Sequence, residues 1–286
     1  MNKKLSLFVF VAFAANLLAQ TDPYLPDTNA PRNIPCYKLS WNDEFNLNGK
    51  PDSKSWKHET GFVRNEELQW YQPDNANCAG GTLKIEGRRE KVANPNYVQG
   101  SADWRKNREF AEYTASSVTT AGFHSWLYGR FEIRAKIPVA KGSWPAIWTL
   151  GISKGWPSNG EIDLMEFYRI KEIPSILANA AWGTKAIWDG SNMPLTHFTE
   201  KDADWTSKFH IWRMDWDQDF IRLYLDDELL NEIDLSKTLN PDGFNPFHQP
   251  HFMLLNLALG RNGGDPTQTE FPIVYEVDYV RIYQKQ

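Results

Sequence analysis

The sequence predicts an all-β sandwich, and three observations predict it. Short runs of alternating apolar and polar residues, rich in β-branched and aromatic types, recur between turn signals of Gly, Pro, Asn and Asp. No long amphipathic helix pattern, repeat or low-complexity tract interrupts them. The chain has 286 residues, enough for one large β domain.

Taken in order, residues 1–20 read as an export signal: Lys3-Lys4, an apolar run from Leu5 to Leu18, and a small-residue site at Ala19-Gln20. The run is too short and wrongly flanked for a membrane anchor, and no Cys follows it as in a lipid-anchored protein. A secreted or periplasmic protein is expected, and in that oxidising setting Cys36 and Cys78 either pair or remain buried thiols. Residues 21–36 form an extended leader with four prolines and no periodic pattern, expected to contribute little to the core. The domain proper is 37–286.

Within it, the strands read from their alternation are 37–41, then 82–86 after the Gly80-Gly81 turn, 116–120, 129–137, 160–167, 177–183, 209–216, 220–225, 251–259 and 275–283. In 129–137, Phe131, Ile133, Ala135 and Ile137 face a core while Arg130, Glu132, Arg134 and Lys136 face away. That mixed-charge face suits a sugar groove, where Glu132 and Arg134 would bracket hydroxyls, or a solvated face with cross-strand ion pairs. The basic and aromatic excursion 97–113 reads as a groove wall or a solvated loop, and 261–269 as a loop able to overhang a groove.

The chemistry concentrates in Gly160-Glu161-Ile162-Asp163-Leu164-Met165-Glu166-Phe167, three acids in an otherwise apolar frame. Acids so placed cost energy unless used or paired. On a strand Glu161 and Asp163 share a face and Glu166 has the wrong parity. One extra residue at Leu164-Met165, a β-bulge, restores the phase and puts all three on one side. The α carbons of Glu161 and Glu166 would then be about 13 Å apart, and the two side chains can lean together to about 5–5.5 Å, the gap that retaining glycoside hydrolysis uses. One Glu attacks, the other donates and recovers a proton, and Asp163 helps separate their pKa values. This spacing gives the pair but not the order of roles.

The stretch Glu161 to Glu166 resembles the catalytic signature of glycoside hydrolase family 16, in its bulged branch of laminarinases, agarases and related endo-glycanases. The resemblance runs from about Trp41 to Tyr283. It implies a concanavalin A-like jelly roll with a concave substrate-binding cleft, with Glu161 as nucleophile, Asp163 as its helper and Glu166 as acid/base. Asp43-Glu44-Phe45 resembles the family's N-terminal element, and the segment 65–71 implies a cleft role for Asn65. In 142–148 it implies Trp144 and Trp148 as stacking residues beside the cleavage point, whose broad faces would also keep water from the acids. Asn256 is likewise implied at the cleft. The glucan-cleaving branch commonly carries a His where this chain has Ala181-Trp182, so Trp182 and Trp188 are expected to shape the subsites differently. A structural calcium, held by Glu44, Gly81 and Asp278, is a further implication, in keeping with that ion's preference for oxygen.

Net charge is −5 and the pI about 5.7, so neither nucleic acid nor an anionic membrane is an expected partner. Thirteen Trp, eleven Tyr and sixteen Phe supply faces for sugar rings as well as for a core. No zinc-ligand spacing, nucleophile elbow or phosphate loop occurs, so catalysis is expected to need no cofactor. The expectation is a monomeric, retaining endo-β-glycanase acting on a polysaccharide or glycan chain. It leans toward β-1,4-galactosidic linkages of keratan, poly-N-acetyllactosamine, mucin or agar type. The alternatives are a β-1,3- or mixed-linkage glucanase and a carbohydrate-binding jelly roll without turnover.

Overall fold

The structure is a computed structural model and describes residues 21–286; the export-signal expectation for 1–20 lies outside the described residues. Alternation sorts each strand into an apolar and a polar row, and two antiparallel sheets bury their apolar rows against each other. One sheet has seven strands, in the order Ile187–Pro194, Ile173–Trp182, Glu161–Ile170, Ser143–Gly151, His251–Leu259, Ser117–Thr119, Lys57–His58. The other runs Glu228–Asp234, Phe220–Leu225, His210–Trp216, Gly129–Lys136, Ile273–Lys285, Thr82–Gly87, Ala76–Ala79, with Tyr37–Asp43 also paired to Ile273–Lys285. Between the sheets Ile162, Leu164, Phe167 and Leu255 meet Phe131, Ile133, Trp212 and Ile282, all fully buried. The sandwich expectation holds, and the strands fall where their alternation placed them.

Two expectations need correction. Gly129–Lys136 belongs to the eight-stranded sheet, between His210–Trp216 and Ile273–Lys285, so its polar row points away from the sheet that carries the acids. Glu132 and Arg134, 1% and 4% exposed, line no groove. Glu132 pairs with Arg32, and Arg134 donates to Asp278 Oδ2 at 2.5 Å and to the carbonyls of Leu25 and Asp22 at 2.8 Å.

Those carbonyls belong to the leader, which supplies no residue to the core clusters but does contact the domain. It crosses the outer side of the eight-stranded sheet as a strap, accepting from Arg281 at Asn29 O and from the Phe209 amide at Pro23 O. Proline-rich backbone has carbonyls to spare because its nitrogens donate nothing.

The calcium set does not fit the ion. Strand pairing does bring Glu44, Gly81 and Asp278 toward the middle of Ile273–Lys285. Arg281, however, already holds both Glu44 oxygens, at 2.8 and 2.9 Å, and Arg134 with the Asp27 amide holds Asp278. Among the described residues no group of three or more His, Cys, Asp or Glu assembles around a common point. Cys36 is exposed and Cys78 buried, both as free thiols.

Candidate active site

Strand Glu161–Ile170 lies inside the seven-stranded sheet, between Ile173–Trp182 and Ser143–Gly151, and register shows how its acids are aimed. Glu161 is opposite Leu150 and Ala181; Asp163 is opposite Trp148 and Asn179; Glu166 is opposite Ala146 and Leu177. From Asp163 to Glu166 this strand advances three residues while both neighbours advance two. That is a β-bulge. Leu164 and Met165 both enter the core with Ile162 and Phe167, and the three acids occupy the opposite face. Gly160 feeds the strand at φ +78°, where a Cβ would come within 2.8 Å of Pro246.

The two Glu side chains are half-buried and Asp163 is buried. Trp144 Nε1 donates to Glu166 Oε1 at 2.9 Å, and Asn179 Nδ2 donates to Glu166 Oε2 at 3.1 Å with a longer contact to Asp163 Oδ2 at 3.4 Å. Asp163 stands next along the same face from Glu161, and Trp156 Nε1 donates to Glu161 Oε2 at 2.6 Å. Asn179 bridges Asp163 and Glu166.

Burial raises all three carboxyls, since a low-dielectric setting disfavours charge. Glu166 is pushed up to about 7 by desolvation and then by the charge of Glu161. Glu161 is pushed only to about 6, because desolvation is opposed by the Trp156 N–H and by the nearby Arg64 guanidinium. Desolvation and the charges of Glu161 and Glu166 hold Asp163 well above the usual range. The environments thus differ in the direction that separates an ionised from a protonated Glu.

Trp148 forms the floor beside Asp163, its Nε1 donating to Asn256 Oδ1 at 2.7 Å; Asn256 Nδ2 donates to the Tyr71 hydroxyl at 3.0 Å. Trp144, Trp148 and Asn256 therefore all stand on the face of the acids. Asn65 is exposed on the loop 61–68 and donates to Glu67 at 3.2 Å. The same loop carries Arg64, which pairs with Glu59 and stacks 5.0 Å from the Trp148 ring. The 97–113 excursion buttresses this loop: Arg108 donates to Glu67 O at 2.9 Å, and Trp104 packs on Phe62.

Trp182 is a correction. Ala181, the partner of Glu161, takes the cleft face, so Trp182 has the opposite parity and packs in the core, edge-on to Phe247. Trp188, the partner of Ala181 on the next strand, is the aromatic on the cleft side. Sequence reasoning missed Asn179, Trp156, Arg64 and Glu67. For Asn179 a signal existed, a lone amide in an alanine-rich strand; for the others, in irregular segments, no periodicity marks them.

The chain matches the model of glycosyl hydrolases family 16 over residues 90–281. It belongs to that family. It is 34% identical to a β-glucanase of Rhodothermus marinus, with 87% of this chain and 86% of the relative covered. It is 29% identical to a keratan-sulfate endo-1,4-β-galactosidase of Sphingobacterium multivorum, covering 87% of this chain and 55% of that one. Among solved structures, an endo-acting O-glycanase that human gut microbiota express to initiate mucin breakdown superposes with a TM-score of 0.81 at 37% identity, over 90% of this chain and 94% of that one. The fold is thus the family's jelly roll, and the chain is an endo-β-glycanase.

Proposed function

We propose that this family 16 enzyme cleaves internal β-galactosidic linkages with retention of configuration, Glu161 attacking the anomeric carbon and Glu166 protonating the leaving oxygen. One observation carries the assignment of roles: the two Glu share a face across a bulge and each accepts an indole N–H, but Glu161 has the Arg64 charge within reach while the charges near Glu166 are acids. Glu161 is the group kept ionised. After departure of the first product, Glu166 takes a proton from water, which resolves the glycosyl–enzyme ester. Asp163, on the same face beside Glu161, orients the nucleophile. Trp144 and Trp148 pack on the sugars at the cleavage point, and Asn65 and Asn256 contact them at the rim and floor.

The galactoside lean is supported by the fit to the O-glycanase, TM-score 0.81, against 0.71 at 33% identity for a non-specific endo-β-1,3(4)-glucanase. It is also supported by the departure at Ala181-Trp182, where the glucan-cleaving branch commonly has a His. A β-1,3- or mixed-linkage glucanase is the second reading, favoured by the R. marinus relative. A family relative of Penaeus monodon is a β-1,3-glucan-binding protein, but binding needs no acid triad on a bulge. The export pattern of residues 1–20 supports action outside the cytoplasm.

The test is a screen of keratan sulfate, mucin glycans, laminarin and barley glucan, with NMR of the first-formed anomer and Glu161→Gln in parallel. Expected are retained configuration on galactosidic chains and, in the variant, loss of at least about 10⁴-fold in kcat with affinity preserved. Inverted product, or a fully active variant, removes the mechanism.

A further inference from the structure

Glu67 is a fourth buried acid beside the cleft, and the chemistry derived above leaves it without a task. It is 3% exposed, on the loop that also carries Arg64 and Asn65. Its direct partners are amides: Gln69 Nε2 donates to Oε2 at 2.7 Å and Asn65 Nδ2 to Oε1 at 3.2 Å. Arg64, the cation whose charge acts on it, is itself paired with Glu59, so among the described residues Glu67 has no ion-pair partner of its own. A buried carboxylate without one is costly, and stability alone would favour a neutral side chain there. Gln69 fixes this acid in the frame of the catalytic sheet, because its Oε1 accepts from the Leu259 amide at 2.8 Å and the strand of Leu259 pairs with Ser143–Gly151, next to the strand of the acids. Across the same strands Glu166 is opposite Ala146 and Ala146 opposite Asn256, whose Nδ2 meets the Tyr71 hydroxyl. Burial and then the Glu67 charge raise that hydroxyl well above its ordinary value, and the same charge reaches Glu166, after desolvation and Glu161. The other titratable groups facing Glu166 are Glu161, Asp163 and Tyr168 on its own strand; Trp144 and Asn179, on the flanking strands, do not titrate.

We infer that Glu67 is a positioning residue for the second half of the reaction: a fixed negative charge that leaves Glu166 basic enough to take a proton from water once Glu161 has become an ester. This deepens the reading above and rests on Glu166 as its acid/base. Before the first step two ionised acids, Glu161 and Glu67, favour a proton on Glu166. Attack on the anomeric carbon turns Glu161 into a neutral ester, and its charge is gone. In the second step the oxygen of water bonds to that carbon, the bond to Glu161 breaks with its electron pair returning to the carboxylate, and the proton of the water goes to Glu166. Desolvation favours the neutral form of Asp163. Glu67 is then the charge still in place that draws the proton to Glu166.

Glu67→Gln keeps the shape and removes the charge. On keratan sulfate, or on laminarin where that is the chain cleaved, the alkaline limb of kcat/KM should move down by roughly half a pH unit while the acid limb stays. In turnover quenched with acid, intact-protein mass spectrometry should find the glycosyl–enzyme adduct at least about twofold more abundant than in the wild type. Glu67→Asp, which keeps a charge, should return the alkaline limb to its place, and a limb that moves down in this variant too overturns the inference even where Glu67→Gln does not fold. A uniform loss of activity with both limbs in place would mean that Glu67 only supports its loop, and an unchanged profile would remove it from the reaction; either result overturns the inference. Glu166→Gln separates this from the reading beneath it. Full turnover in that variant removes Glu166 as the acid/base, whereas its loss of turnover beside an unshifted Glu67→Gln profile leaves the reading standing and ends the role of Glu67 alone.

Discussion

At the residue scale the site works by giving two like acids unlike neighbours. Glu166 has only dipoles, the Trp144 and Asn179 N–H groups, and the charges near it are the acids Glu161 and Glu67. Glu161 has Arg64 within electrostatic reach. With one carboxyl raised to about 6 and the other to about 7, the pH dependence of kcat/KM should be a narrow bell centred between these values. Activity falls on the acid side as Glu161 gains a proton and on the alkaline side as Glu166 loses one. Arg64→Met removes the cation beside the nucleophile, so the acid limb should move upward while the alkaline limb stays; a pH profile that does not change would free Arg64 of any electrostatic role. Stability has the opposite sign. Because folding raises the Glu166 pKa from 4.5 to about 7, the folded state holds more protons than the unfolded one across that window, and stability drops as pH rises through it. Glu166→Gln should lower kcat by about 10²–10⁴ and raise the melting temperature by a few degrees at pH 8, with little gain at pH 4 where both states are protonated. Thermal scans at the two values check this.

At the scale of elements, the decisive feature is the bulge, and it was legible because apolar residues and acids compete for the two faces of one strand. Ile162 and Phe167 fix the core side at either end, and only an extra residue lets Glu166 join Glu161. What alternation does not say is which sheet a strand joins. The row Arg130, Glu132, Arg134, Lys136 would look the same facing a sugar or facing a strap, and the answer lay in pairing with Ile273–Lys285, more than a hundred residues away. Trp182 was misplaced for a related reason: its parity relative to Glu161 depends on a register that no local pattern encodes. Register also yields a prediction. Gly190 sits opposite Asn179, and a Cβ there would come within 2.3 Å of Asn179 Oδ1. Gly190→Ala should therefore push the amide off Glu166 and Asp163 and lower kcat by roughly tenfold, about one hydrogen bond to a charged group. Gly190 is exposed on an edge strand, so the melting temperature should hardly move. A variant with normal turnover would show that Asn179 is dispensable.

At the scale of the whole molecule the two outer faces divide the labour, one sheet presenting the acids and the other closed by the leader. The closure is electrostatic. Arg134 and Arg281 are almost fully buried, with Asp278, Glu44 and Asp27 as counter-charges, and the strap supplies carbonyls from Asp22, Leu25 and Asn29. Buried guanidinium groups are tolerated only while their donors are met. Removing residues 21–35 would return both arginines partly to water, so the loss is less than that of a charge left stranded in a core. It amounts to the three carbonyl hydrogen bonds to these arginines and the Asp27 pair, about 4 kcal/mol at roughly 1 kcal/mol each. For a domain of this size that is a drop of about 8–16 °C in melting temperature. Because the strap lies on the sheet opposite to Glu161 and Glu166, the shortened enzyme should keep its kcat at 25 °C. Asp27→Asn, which leaves the carbonyls in place, should produce only part of the drop. Calorimetry of the three proteins, with turnover measured on each, decides the matter: an unchanged melting temperature would mean the strap merely lies on the sheet, and a collapse of turnover with temperature well below the transition would mean the two faces are coupled through the core.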